Sequence, residues 1–517
     1  MNRILTISCI TTLMVVASLL SAGESRAQGI HTTASNMGLG GGGGAYMTGY
    51  HANFINPANL MMSESGRGTR LNIGILGGLS TSAGGGLINL SLYNEHFTTG
   101  QLIDSQRVME ISDAWFGSGS GSMGYFAFNL HMVPFGLSYR GDKMALSTAF
   151  RVRSVNTIGM SKGMFELALT GLNAEVFDEF KDVNLTTEIM GLGELSFGYA
   201  MEVWRSHSEF RPGSMRVFAG VAPKILYGMG YAKIGFESRL QVTGGNGESS
   251  VVHEFDYYIK SVGDLTDDFD RYYQERRVQN NEDASFGDFV SGDSFSDAGS
   301  VQGQGFGLDI GATWEWYMRD ISIPVIGSGP QILRASFSIT DIGSVNFDNK
   351  PGEFRATDTF TWEGLNVDFE YINEEHGEFS DYFDYVLGDS IGNDIYGNFT
   401  PREVSSHKIG LNPMLNLGGA LSMGRLAVIM DLGKGFNDRG INSRSMYAAL
   451  GTEYRLLNVI PLRFGMRVGG YSSMNLAFGS GISSKRFEFT ASVMTTPNSK
   501  NGGVNLSGAW SGLVFRF

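Results

Sequence analysis

The stretch Phe306-Gly307-Leu308-Asp309-Ile310-Gly311-Ala312-Thr313-Trp314-Glu315-Trp316-Tyr317-Met318-Arg319 decides the fold. Every second side chain from Phe306 to Met318 is apolar, and the intervening set is small, polar or charged. Alternation with period two marks a half-buried β-strand, because successive Cβ atoms point to opposite faces. The same pattern sets Met144, Leu146, Phe150 and Val152 against Ala145, Ser147, Arg151 and Arg153. It recurs with Leu462, Phe464, Met466 and Val468 against Arg463, Gly465 and Arg467. Strands of about ten residues are long enough to cross a bilayer when tilted.

Two settings produce such strands. A secreted β-repeat protein alternates too, but its polar face is solvated and rich in Lys, Thr and Glu. Here one face carries Phe, Trp, Met and Leu and the other carries small residues with embedded Arg and Glu, as in a membrane barrel. In hydrocarbon only a closed sheet pairs every backbone group. Composition agrees: 72 Gly in 517 residues, 12% aromatic and only 17% charged, against about 25% charged in soluble domains. That is too apolar for a disordered chain, and no Gly-X-Y period points to collagen. The expected fold is all-β: a transmembrane antiparallel β-barrel of about 14–16 strands, with an N-terminal luminal plug and two long acidic extracellular inserts.

Residues 1–27 read as a cleavable signal peptide, with Arg3, an apolar run from Ile4 to Leu20, and small residues at Ser25 and Ala27. An N-terminal membrane anchor is the alternative. The single Cys, Cys9, lies in this leader, so the exported chain is expected to carry no thiol or disulfide. The last residues, Leu513-Val514-Phe515-Arg516-Phe517, alternate and end on an aromatic. This ending resembles the terminal strand of bacterial outer-membrane barrels, which implies the assembly machinery as a partner, lipid as surroundings and a Gram-negative outer membrane as location.

The inserts span 244–302, with 13 acidic and 4 basic residues, and 345–403, with 14 and 3. They carry more than the whole net charge of −14, so the remainder is net positive. Two expected strands, 303–319 and 330–344, separate the inserts and place both on one rim. Seven more, beginning at 405, put the chain end on the other rim. Upstream, strands are expected near 69–80, 85–93, 131–140, 143–153, 188–204, 214–226 and 229–243, with short loop helices within 154–187. The inserts have two readings, a solvated lid or a Ca²⁺ site using Asp264, Asp267, Asp268 and Asp270.

Residues 28–68 form the remaining segment, ahead of a barrel at 69–517. It contains Gly43-Gly44-Ala45-Tyr46 and then Asn53-Phe54-Ile55-Asn56-Pro57-Ala58-Asn59-Leu60. Gly-Ala-Tyr followed by Asn-Pro-Ala-x-Leu resembles the long-chain fatty-acid transporter (FadL-type) barrels and the related PorV-like barrels of Bacteroidetes-type secretion systems. The resemblance implies a plug, or hatch, in the lumen that includes Asn56, Pro57, Ala58 and Leu60. The chain departs from the transporters at Asn59, where they usually carry Gly, and at His51-Ala52-Asn53, where they tend to be acidic. Asn56 before Pro57 favours a turn leading into one short helix over 58–62.

By strand register, Arg151, Arg153, Arg216, Arg334, Arg455, Arg463, Arg467 and Arg486 face inward, against Asp309, Glu315, Glu453 and Glu488. Arg334, Arg463 and Arg467 are candidates to hold an anionic head group. The alternative is an internal Arg–Glu ladder, with Glu453 paired to Arg463 or Arg467. The eight His are scattered and none lies in H-E-x-x-H. No enzyme activity, catalytic residue, metal or cofactor is expected, and acidic exposed loops argue against nucleic acid. The expected function is a plugged channel or transporter for hydrophobic or anionic amphiphilic small molecules. The alternative is a surface scaffold or secretion-system partner acting through the acidic loops.

Overall fold

A computed structural model describes residues 33–62, 70–100, 102–119, 121–245, 248–279, 281, 284, 300–365, 399–436, 446–469, 474–497 and 503–517. The proposed signal peptide, 1–27, lies outside them. Alternation along the chain produces strands β1 (Arg70–Ile75), β2 (Leu79–Gly85), β3 (Met123–Arg140), β4 (Met144–Ser161), β5 (Lys181–Asp182), β6 (Leu185–Arg205) and β7 (Met215–Gly245). There follow β8 (Glu248–Ser261), β9 (Gly303–Ile323), β10 (Gly327–Phe347), β11 (Gly352–Leu365), β12 (Thr400–Arg402), β13 (His407–Gly410) and β14 (Met414–Met423). The last set is β15 (Leu426–Gly435), β16 (Tyr447–Leu456), β17 (Ile460–Gly469), β18 (Met474–Ser483), β19 (Phe487–Thr495), β20 (Val504–Trp510) and β21 (Leu513–Arg516).

All pairings are antiparallel, and the sheet closes on itself where β1 meets β21 and β2 meets β20. Three wall positions are built from split strands: β1 with β2, β13 with β14, and β20 with β21. The result is a closed 14-stranded barrel. The register inferred from 306–319 holds: Asp309 and Glu315 are 0% exposed and Thr313 1%, whereas Phe306 is 77% exposed. Phe464 and Phe478 likewise stand on the outside, and Arg463 is buried.

Sixteen expected strands reduce to fourteen for two local reasons. Residues 85–93 do not form a strand; Leu90–His96 is a helix, α2, with Asn89 accepting from Leu92 N at its N-cap. Residues 214–226 and 229–243 are one continuous strand, β7. Its first half pairs with β9 in the wall, and its second half leaves the wall to pair with β8. The helical loop after β4 is α4 (Lys162–Thr170), placed after α3 (Ser105–Phe116), while α1 is Ala34–Gly38 near the chain start.

The described parts of both inserts join in one lobe. Strands β8 and β11 pair beyond the wall, and helix α5 (Asp264–Tyr273) packs on them. Phe255, Tyr257, Ile259, Leu265, Phe269, Phe354 and Phe399 form its apolar core. Residues 285–299 and 366–398 lie outside the described residues. The four proposed Ca²⁺ ligands are not gathered: Asp264 and Asp267 face Lys350, and Asp268 pairs with Arg271. Among the described residues no group of three or more His, Cys, Asp or Glu is placed to hold a metal.

Inside this lobe burial pushes the His253 imidazole down to about 4. The neutral ring is the folded form, so its contribution is complete above the unfolded value of about 6.5 and is lost as pH falls from there toward 4. The Arg355 guanidinium hydrogen-bonds Asp256 and holds its carboxyl below the usual range, so that ion pair persists through the same interval. Amide-exchange protection of β8 and β11 is therefore expected to fall between pH 6.5 and 4, and His253→Gln to flatten that fall. Unchanged pH dependence in the variant would remove His253 as its source.

Candidate functional site

A 14-stranded cylinder is wider than its own side chains fill, since about eight strands is the size at which wall side chains alone close the interior. In this chain residues 33–62 occupy that space. Helix α1 lies against β17 to β20, and two 3₁₀ turns, Gly49–Phe54 and Pro57–Met61, lie against β3, β4, β6, β7 and β9. Asn56 caps the second turn by accepting from Ala58 N at 3.1 Å, with Pro57 at its first position. The helix expected at 58–62 is thus a tighter 3₁₀ turn, one residue earlier.

Polar contacts fix the segment to the wall. Gly43 N and Gly44 N donate to the two carboxylate oxygens of Asp431 at 2.7 and 2.8 Å. Asn56 Nδ2 donates to Thr313 Oγ1 at 2.9 Å, and Thr313 Oγ1 donates to Asn59 Oδ1 at 2.7 Å. Ser338 Oγ and Ser492 Oγ donate to the carbonyls of Ile55 and Ala34 at 2.7 and 2.6 Å. Leu60 and Ala58 pack with Ala52, Met61, Ala145, Ala200 and Phe218. Close approach depends on inward wall glycines: a Cβ on Gly136 would sit 2.2 Å from the Tyr50 ring, and one on Gly220 2.4 Å from Ala58 N.

On the insert side of this segment lies a buried charge cluster. Arg151 Nη2 donates to Glu194 Oε2 at 2.6 Å, Arg153 Nη1 to Asp341 Oδ2 at 2.9 Å, and Lys224 Nζ to Asp341 Oδ1 at 2.8 Å. Asp309 lies 2.7 Å from Lys224 Nζ. Asp341 sits at φ 57° in a β-bulge of β10, which aims its carboxylate at all three cations. The Arg151 guanidinium lies over the Phe54 ring, 4.3 Å from its centroid, and so ties the cluster to the segment. Met190, Leu192, Leu226, Tyr231, Val345 and Phe347 form an apolar layer beyond it.

On the opposite side lies a cavity of about 630 Å³, bounded by the turns at Gly424, Asn458 and Ser484 and by Phe517. Eight Lys and Arg side chains and two carboxylates line it. Arg334 and Arg463 are among them, and each also pairs with the wall: Arg334 Nε donates to Glu315 Oε2 at 2.8 Å, Arg463 Nε to Glu453 Oε2 at 2.7 Å. The Glu453–Arg463 ladder contact expected one hairpin away is therefore made. Glu453 also accepts from Arg455 and from Tyr46 OH. Arg467 does not join them; it is buried against Tyr447, with the guanidinium 3.8 Å from the ring centroid. Arg486 is corrected as well: it is exposed in the turn before β19.

Sequence reasoning passed over Asp431, Glu194, Lys224 and Asp341. Asp431 carries a legible signal, a lone carboxylate on the inward phase of Leu426–Gly435. Asp341 has none, because the bulge breaks the period. Two pentapeptides also fit the G-x-S-x-G spacing of a serine nucleophile. In Gly159-Met160-Ser161-Lys162-Gly163 the hydroxyl accepts from Met164 N as the cap of α4 and donates to Asp182 O at 2.7 Å, a structural role. Gly388-Asp389-Ser390-Ile391-Gly392 lies outside the described residues.

Asp431→Ala leaves two buried N–H donors without an acceptor, at roughly 1–3 kcal/mol each. Limited proteolysis of the folded barrel in detergent is expected to cut within 33–62 at least tenfold faster in this variant. Equal rates would mean that the segment is seated without Asp431.

A search of curated proteins finds no match. Among solved structures the Pseudomonas putida toluene transporter TodX is similar at 12% identity, covering 95% of this chain and 99% of that one, with a TM-score of 0.44. The monoaromatic hydrocarbon channel CymD is similar at 10% identity over 94% and 97%, TM-score 0.37. A Pseudomonas aeruginosa FadL homologue is similar at 9% over 95% and 98%, TM-score 0.22. At these values the likeness carries no argument about cargo, and the fold stands on the strand pairing itself. Residues 69–493 match the profile of the family of unknown function DUF5723, and the chain belongs to that family.

Proposed function

We propose that this chain is an outer-membrane β-barrel that passes a hydrophobic or anionic amphiphilic small molecule, with residues 33–62 as the removable closure of its lumen. One observation carries the reading: the lumen is filled by a segment preceding the first strand, not by wall side chains alone. That segment is held by hydrogen bonds from short side chains and by packing on wall glycines, contacts that can break without unpairing a strand. The outer surface supports a lipid setting. Phe128, Phe135, Phe197, Phe337, Phe464 and Phe478 are 42–56% exposed, and an apolar band of this kind is stable in hydrocarbon and a liability in water.

The lobe built from β8, β11 and α5 favours a second reading, a surface scaffold, because it has its own apolar core and stands beyond the wall. The two readings separate in one experiment. Cells carrying the intact chain, a version lacking residues 33–62 and a version lacking the lobe are compared at equal surface expression for uptake of a labelled long-chain alkane. Uptake above empty-vector cells that changes several-fold without 33–62 is the expected result. No uptake by any version, with loss of a surface partner from the lobe deletion, would overturn it in favour of the scaffold.

A further inference from the structure

The cavity on the rim away from the acidic lobe is not explained by closure of the lumen. Its Glu453 is shared between Arg455 and Arg463, and its Glu488 faces Arg516. Arg70, Arg140, Arg425 and Lys485 line the same space, with no Asp or Glu side chain beyond those two among its described lining residues. Arg463 adds an independent sign. It is 4% exposed, lines the cavity, and its Nη1 is buried with no hydrogen-bond partner. A guanidinium nitrogen left without an acceptor is costly, and a ligand oxyanion would remove that cost.

We infer that this cavity is an oxyanion site that takes a phosphate or carboxylate head group, with Arg463 at its wall and Arg425 and Lys485 at its mouth. Apolar lining from Ile332, Leu426, Val514 and Phe517 suits a short alkyl chain next to the charge. The inference deepens the transport reading by naming the head-group chemistry and rests on it for the cargo's passage, though binding is measured separately. Charge asymmetry fits: the acidic inserts repel anions at one rim, and the cationic excess collects them at the other.

The test uses the full-length folded barrel in a neutral maltoside detergent and hexyl phosphate as probe, with hexanol and inorganic phosphate as comparison ligands, read by calorimetry. Hexyl phosphate is expected to bind, hexanol to bind at least tenfold more weakly, and added salt to weaken the first but not the second. Arg463→Gln is expected to lower hexyl phosphate affinity about tenfold or more, with Arg463→Lys recovering part of it. Because Arg463 also pairs with Glu453, the Arg425→Gln/Lys485→Gln double variant serves as a second probe that leaves the buried pair intact, and it should lose several-fold. Displacement by millimolar inorganic phosphate would support the site as one for free oxyanions. Lack of displacement would support it as one for an amphiphile's head group. Equal binding of hexanol, or affinity unchanged in both variants, would overturn the inference even if alkane uptake proves the transport reading. Binding lost in the variants without any uptake would sustain it while that reading falls.

Discussion

Closure of the sheet is the constraint from which the rest follows. Once β1 pairs with β21 and β2 with β20, no wall edge is left open, and each strand's two faces become the outside and the inside of a cylinder. Alternation then has a fixed meaning along the whole wall. Phe and Leu at one parity cover the exterior, and Asp309, Glu315, Arg151 and Arg463 at the other are committed to an interior they cannot leave.

That commitment creates two physical problems, space and charge. Fourteen strands enclose more volume than their own inward side chains fill, so residues 33–62 occupy it. Their close seating needs wall positions with no side chain, which accounts for inward Gly136, Gly220, Gly311 and Gly465. Part of the chain's high glycine content is thus a set of contacts between wall and segment. Charges are handled by pairing within the lumen: Arg216 and Arg334 on Glu315, Arg455 and Arg463 on Glu453, and three cations on Glu194, Asp309 and Asp341. Such buried pairs cost desolvation and are weak evidence for stability. Some of them join strands far apart in sequence, as Arg153 and Lys224 do with Asp341, and breaking one leaves its partner charge buried.

The interior is layered along its axis. An apolar layer and a neutralised charge cluster lie toward the acidic lobe, the N-terminal segment lies in the middle, and the cationic cavity lies at the rim that holds Phe517. The cluster is balanced, three cations against three carboxylates, whereas the cavity has an excess of cations. Of these three layers, it is the cavity that carries the cationic excess.

Strand identity, wall register and the two-rim arrangement were legible in the sequence, because a period-two pattern is local and each side chain's face follows from its parity. The pairing of Glu453 with Arg463 was legible for the same reason: a hairpin fixes its own register. Helix α2 was not, since its short apolar stretch fits strand or helix equally well. The split of β7 between wall and lobe was not, because continuous alternation does not say when a partner changes. The anchoring of Gly43 and Gly44 on Asp431 and the meeting of Asp341 with Arg153 and Lys224 both depend on residues more than a hundred positions apart meeting in one lumen. Sequence alone determined that the chain alternates and which side chains turn inward. Tertiary structure decided which of those side chains meet, because closing the barrel, and no local preference, sets the distances across it.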